Sequence, residues 1–395
     1  MKNIAILSIC RTPVGEYGGG LSSLSAVQLG EIVVREALQR AKVNADQVDE
    51  LLFGCVLQAG LGQNVARQIS MAAGIPETVP ASTLNNLCGS GLKSLNVAAA
   101  MIEAGDADIM VVGGTESMSN APYLLEKARF GYRMADGTLV DEMIRDGLSC
   151  GMLDIHMGIT AENVAEKYNV TREEQDEYAY QSQMKHKAAQ EAGHFKDEIV
   201  PVHVKQRKKE FDVTEDEFAK PDTSLEVLAK LRPAFKRDGT GTVTAGNASG
   251  VNDGAAAMVI CSMEKAEELG LKPLAILRET VSVGLDPAVM GMGPLYALKK
   301  LSEKSGISLD DIELFEINEA FASQCVAILR ELKLDPEKVN VNGGSIAIGH
   351  PIGASGARVL ATLIYEMQKR GNKLGVSTLC IGGGMGVASL IERVE

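Results

Sequence analysis

The chain has 395 residues, 45% of them apolar and 23% charged, with little aromatic bulk. Its formal net charge of −13 argues against a general nucleic-acid or membrane-surface binder, though local basic groups and helix N-termini can still hold an anionic ligand. The length exceeds what one core supports, so two or three units are expected; seven widely spaced cysteines read as free thiols, not a disulfide framework.

The opening, MKNIAILSICRTPVG, reads as a strand rather than a signal peptide, because its apolar run is short and lacks a cleavage-like site. Further on, DQVDELLFG (46–54) precedes NNLCGSGLKS (85–94), where Leu92, Leu95, Ala99 and Ile102 recur at helical spacing and stop at Gly105. DIMVVGG (108–114) then suits a strand buried on both faces. A polar, helix-rich excursion follows from about 118 to 250, with TREEQDEYAYQSQMKHKAAQEAG as its clearest amphipathic helix. Its basic run, VKQRKKEF (204–211), reads as a solvated face, the alternative being attraction of an anionic ligand. The strand pattern resumes at AAAMVIC (255–261).

The last third repeats this plan. DDIELFEIN (310–318) matches DQVDELLFG, and GASG (353–356) falls opposite CGSG. The helix of GASGARVLATLIYEMQKRG and the strand of LGVSTLCIGGG then follow, leading at once into GVASLIE. An internal duplication of an α/β unit is expected, with the excursion inserted in the first copy, where such insertions often cover a site.

Four segments hold more small and reactive residues than packing requires: NNLCGSG, EINEAFA (316–322), NGGSIAIGHPIGASG (342–356) and LCIGGGMG (379–386). The glycines and serine around Cys88 leave its sulfur little covered, and a helix N-terminus favours thiolate. His350, presented by a tight turn before the matching helix, can take the thiol proton. The two should meet near the pseudo-twofold axis. Cys380 ends a buried strand, where Gly382, Gly383 and Gly384 can expose N–H donors to an oxyanion. Cys10, Cys55, Cys150, Cys261 and Cys325 read as packing residues.

No CxxC pair occurs and the five histidines are scattered, so no metal is expected. No run approaches a membrane span, and the final LIERVE carries no retention or peroxisomal address, which makes a cytoplasmic location the expectation.

Taken in order, CGSG, NEAFA, GHPIGASGAR and CIGGG resemble the thiolase family, CoA-dependent acyltransferases that condense or cleave 3-ketoacyl-CoA. The resemblance covers essentially the whole chain from RTPVG at residue 11. It implies an α/β fold of two duplicated mixed-sheet domains in five layers, with an inserted loop domain. The expected bounds are 1–118 with 250–272, then 119–249, then 273–395. It also implies ping-pong chemistry. Cys88 accepts an acyl group from a CoA thioester with His350 taking its proton, and Cys380 removes a methyl proton from a second acetyl-CoA to give acetoacetyl-CoA. His350 and a water held by Asn318 would serve the enolate oxygen; the N–H groups of Cys88 and Gly382 would serve the tetrahedral intermediate.

For CoA the matching positions are Leu148, His156, Met157, Lys220, Ala245 and Ser249. Some relatives carry arginine where this chain has Lys220, which keeps the charge but loses planar stacking on adenine. KRDGTGTVTAG is also two residues longer than the family's DGTVTAG. HMGITAEN and GMGP resemble the short-chain biosynthetic type, with Met157 and Met292 narrowing the acyl pocket. CoA thioesters would be the substrates, with no tightly bound cofactor, and a homotetramer is implied. The alternatives are a broad-range degradative 3-ketoacyl-CoA thiolase and, from other classes, a cysteine thioesterase or a non-catalytic CoA binder. Cys380 has no use in a thioesterase, nor in a ketoacyl synthase, which obtains its carbanion by decarboxylation.

Overall fold

The computed structural model describes residues 4–206 and 209–394, so Arg207 and Lys208 of the basic run lie outside the described residues. The first copy begins with β1 (Ile4–Arg11), α1 (Ala26–Ala41), β2 (Glu50–Gly54) and α2 (Val65–Ala72). It continues through β3 (Ala81–Leu84), α3 (Ser90–Ala104) and β4 (Ile109–Ser117). The excursion holds α4 (Met157–Lys167), α5 (Arg172–Glu191) and a hairpin of Val202–Gln206 with Lys209–Val213. The first copy closes on β5 (Asn252–Ser262). The second runs β6 (Ala275–Gly284), α6 (Gly293–Ser305), β7 (Leu314–Ile317), α7 (Ala322–Leu332), α8 (Ser355–Arg370), β8 (Leu374–Ile381) and β9 (Met385–Arg393).

Pairing repeats across the copies. The strand order is β3-β2-β4-β5-β1-β6-β9-β8-β7. In the first copy β2 runs parallel to β3 and β4, while β5 is antiparallel to β4 and β1. In the second, β7 runs parallel to β8, while β9 is antiparallel to β8 and β6. The partner that β3 would lead one to expect shrinks to a single parallel bridge, Phe315 with Val339. Each lead strand even carries its register irregularity at a matching place, Ile6/Ser8 and Leu277/Glu279. β1 and β6 join the halves antiparallel, Ile4 opposite Leu277 and Ile6 opposite Ala275. The duplication read from the sequence is real.

Strand alternation explains the layers. Ile4, Ile6 and Ile9 of β1 face one cluster with Leu92, Leu95, Leu360 and Leu363 of the helices α3 and α8. Ala5 and Leu7 face the other way, onto Leu29, Val33 and Ile69 of α1 and α2. On the far side Phe315, Val376 and Leu390 pack under Leu298 and Ile328 of α6 and α7. Both central helices are therefore sandwiched, α8 burying residues on every side, as a helix apolar all round must.

The two central helices touch backbone to backbone. A Cβ on Gly91 would lie 2.8 Å from the Ala357 nitrogen, and one on Gly356 2.3 Å from the Leu92 nitrogen. The last glycines of CGSG and GASG thus serve this crossing, rather than baring the sulfur as the sequence suggested. The crossing sets the loops bearing Cys88 and His350 side by side.

The excursion is anchored by a buried charge cluster. Arg11 on β1 bonds Glu198 and Asp216, each at 2.7 Å, with all three side chains out of water. Removing Arg11 would strand two buried carboxylates, at a cost of about 3–5 kcal/mol or more.

Candidate active site

Cys88 occupies one 3-10 turn, Leu87–Gly89, directly ahead of α3. Leu87 has φ +48°, a left-handed conformation that a branched residue keeps only where its surroundings impose it. The Ser90 hydroxyl does so by donating to the Leu87 carbonyl at 2.7 Å and accepting the Asn86 N–H at 2.8 Å. Burial pushes the Cys88 thiol up to about 11, against the pull of the backbone N–H groups of Gly382 and Cys88 itself. The helix N-terminus favours thiolate, but at rest desolvation is the larger influence, so the proton leaves only when a base takes it.

His350 is buried. Its backbone N–H donates to Asn252 Oδ1 at 2.9 Å, and its ring Nδ1 lies 2.6 Å from Ser355 Oγ. Ser355 has one hydroxyl proton and gives it to the Pro351 carbonyl at 2.9 Å. Nδ1 must then carry the imidazole proton, and Nε2, without a partner among the described residues, presents a lone pair. Burial, with the Arg358 charge second, holds the ring neutral by lowering its pKa to about 3. The pair rests as thiol and neutral imidazole. Alkylation of Cys88 by iodoacetamide should accordingly rise about tenfold per pH unit from 7 to 9.5, following the thiolate fraction. A plateau below pH 8 would mean a preformed thiolate–imidazolium pair.

Cys380 is fully buried, and its Sγ donates to Gln324 Oε1 at 3.0 Å. Burial pushes this thiol up, and nearby Cys88 adds to the shift. Gln324 Nε2 in turn donates to the Asn318 carbonyl at 2.9 Å. The Asn318 side chain takes a hydrogen bond from Ser345 at 2.6 Å on Oδ1, while Nδ2 has no partner among the described residues.

Cys88, His350 and Gly382 line one cavity of about 320 Å³, together with Leu148, His156, Met157 and Ser249. Cys380 sits just behind that wall, packed on Met157, Met290, Ala320 and Phe321. His156 caps α4, its Nδ1 accepting the Gly158 N–H at 3.0 Å, and stacks on Phe235 at 4.7 Å. Burial lowers its pKa, so it too is neutral.

Lys220 and Ala245 are not in this cavity. They line a separate depression of about 580 Å³ beside Phe218, Pro221 and Leu231. Lys220 Nζ lies 2.9 Å from Glu16 and over the Phe218 ring at 5.5 Å, so its charge is already shared. The longer KRDGTGTVTAG stretch turns at the surface, Thr240 bonding Asp238, then ties down where Thr242 and Val243 donate to buried Glu162 of α4.

Met292, expected to narrow the acyl pocket, does not line the cavity. It is buried with Val164 and Leu295 in the outer core, while Met290 faces the cavity. Gln324, Asn252, Ser355, Ser345, Phe235 and Met290 went unnoticed as site residues. Ser345 and Ser355 lie inside the flagged run 342–356, and polar residues fully buried on helices, such as Gln324, were the available signal.

Among the described residues no cluster of His, Cys, Asp and Glu could hold a metal, and no helix is long and apolar enough to cross a membrane.

Comparison with known proteins agrees with this arrangement. The family model "Thiolase, N-terminal domain" matches residues 4–264, and "Thiolase, C-terminal domain" matches 271–393. The acetyl-CoA acetyltransferase of Syntrophomonas wolfei is 55% identical over 397 residues, covering all of both chains. The crystal structure of the Bacillus anthracis acetyl-CoA acetyltransferase superposes with a TM-score of 0.97 at 45% identity, covering 100% of this chain and 99% of that one. Human mitochondrial 3-ketoacyl-CoA thiolase gives a TM-score of 0.96 at 44% identity with the same coverage. With the paired folds, the two cysteines and the histidine in place, and both halves matched along nearly their whole length, the chain belongs to the thiolase family.

Proposed function

We propose that this chain is an acetyl-CoA C-acetyltransferase, condensing two acetyl-CoA into acetoacetyl-CoA and CoA and running the reverse thiolysis. The observation that carries it is Cys380, a second thiol held by Gln324 at 3.0 Å and packed on Met157 and Met290 behind the wall that Cys88 lines, near enough that Cys88 adds to the upward shift of the Cys380 pKa. A thioesterase would need only Cys88, His350 and one set of oxyanion donors.

In this reading Cys88 attacks the thioester as its proton passes to His350 Nε2, and the N–H groups of Cys88 and Gly382 hold the tetrahedral oxyanion. CoA leaves as thiolate and takes the proton of Cys380. That leaves Cys380 as the base the second half needs. It removes a methyl proton from the second acetyl-CoA while His350, now protonated, and a water on Asn318 Nδ2 stabilise the enolate oxygen. The carbanion displaces Cys88, which recovers its proton from His350, and Cys380 has regained its own. Every proton is accounted for and no bound cofactor enters.

CoA is assigned to Leu148, His156, Met157 and Ser249 in the cavity, and to Lys220 and Ala245 in the outer depression. Met157, Met290 and Phe321 crowd the end near Cys380, which favours a two-carbon acyl group. The likeness to a 3-ketoacyl-CoA thiolase supports the broad-range enzyme as second reading. A thiolysis assay with free CoA separates them: acetoacetyl-CoA should be cleaved at least tenfold faster than 3-ketohexanoyl-CoA. Comparable rates would move the assignment to the broad-range enzyme, and turnover of neither would end it.

The reading extends to a homotetramer, supported by the exposed Phe130 and Met134, each 92% accessible, on the segment between β4 and α4. Light scattering at the mass of one chain or two would refute it. A cytoplasmic location fits the free thiols at all seven cysteines, and recovery from a secreted or membrane fraction would count against it.

A further inference from the structure

Asparagine amides present either oxygen or nitrogen to a site, and the two orientations differ little in shape. For Asn318 the choice decides whether the site holds a donor or an acceptor. Three buried residues settle it. Arg358 of α8 is 2% exposed, and its Nη2 reaches Ser345 Oγ at 2.6 Å. Ser345, on the short helix Ser345–Ile348, lies 2.6 Å from Asn318 Oδ1. A guanidinium only donates. Ser345 Oγ therefore accepts from Arg358, and Asn318 is the acceptor for its single proton, no other being in reach among the described residues. The asparagine oxygen is claimed, and Nδ2 is what remains for the site, consistent with its lack of a partner among the described residues.

We propose that Arg358 and Ser345 are positioning residues that fix the polarity of the Asn318 amide, so that it offers hydrogens to the water serving the enolate oxygen. The inference rests on the functional reading above, because only enolate formation uses that water. Without the relay, Asn318 is free to turn its oxygen toward developing negative charge. The backbone of Asn318 is held independently: its N–H donates to Thr378 and its carbonyl accepts from Gln324. Loss of the relay should therefore turn the amide rather than move the residue. The Gln324 link also places Asn318 on the Cys380 side of the site, where the methyl proton leaves.

The two half-reactions provide the test. Wild-type enzyme with acetyl-CoA in D₂O should release a burst of CoA as Cys88 is acetylated, and should place deuterium in the acetyl-CoA methyl group. Ser345→Ala should lose at least about tenfold in deuterium incorporation, short of the 10²–10³ expected for complete loss of an oxyanion donor. Its CoA burst should stay within about threefold. Ser345→Thr, which keeps the hydroxyl, should recover the exchange. A second pair guards against misfolding of the alanine variant. Arg358→Lys keeps a donor-only cation and should exchange, whereas Arg358→Gln can turn an acceptor toward Ser345 and should lose exchange more than burst. Wild-type exchange in Ser345→Ala, or burst and exchange falling together in both pairs, would overturn the positioning role. Absence of exchange in the wild-type enzyme would instead overturn the functional reading.

Discussion

Replacing Cys88 with alanine should remove both directions of turnover, by at least about 10⁴-fold, because every later step needs an acyl group on that sulfur. The fold should survive. Cys88 is half-buried on a turn held by Ser90 and Asn85, whose bonds to the backbone do not involve the sulfur. Measured with acetoacetyl-CoA and CoA, the variant should show neither cleavage nor a covalent mass increase of one acetyl group. Activity above about 1% of wild type would place the nucleophile elsewhere. Cys88 is the one cysteine not fully buried, yet burial still pushes its thiol up to about 11, so it is no ready thiolate at neutral pH. Its advantage is geometric: it faces the cavity across from a histidine whose lone pair is free.

That distinction marks how far the sequence could be read. The duplicated strand signatures around Leu51 and Leu314, and the helices closing at Gly105 and Gly371, were plain because buried strands and capped helices carry local patterns. Cys88, His350 and Cys380 stood out because reactive residues among glycines are rare in ordinary cores. What stayed hidden depends on distance across the fold. Gly91 and Gly356 are there for a helix crossing that joins residues 265 positions apart. The protonation states follow from burial, which no local pattern reports. The GMGP motif singles out Met292, and a motif does not report direction: along the 3-10 segment Pro287–Met292, with Val289 at non-helical φ −129°, it is Met290 that reaches the cavity while Met292 enters the outer core. Lys220 shows the same limit: matching the motif placed it at CoA, and only the fold shows Glu16 beside it.

Replacing Cys380 with alanine should separate the halves of the reaction. Condensation and deuterium incorporation into acetyl-CoA should fall by about 10²–10⁴-fold, the usual contribution of a positioned base. Acetylation of Cys88 should fall by no more than about tenfold. The reason lies in the two leaving protons. A thiol of ordinary pKa near 8.5 departs from a thioester with little help at pH 8, so losing the Cys380 proton costs the first half little. A methyl proton beside a thioester is far less acidic, and no other group in the wall is placed to take it: Gln324 cannot ionise, and His350 is engaged at the oxygen. The substitution also removes a sulfur packed on Met157, Met290 and Phe321, so a small cavity and some loss of stability are expected. Such a loss would lower both halves alike. A selective loss of the carbon–carbon step is the signature of a base, whereas an enzyme that hydrolyses acyl-Cys88 would keep its full rate without Cys380.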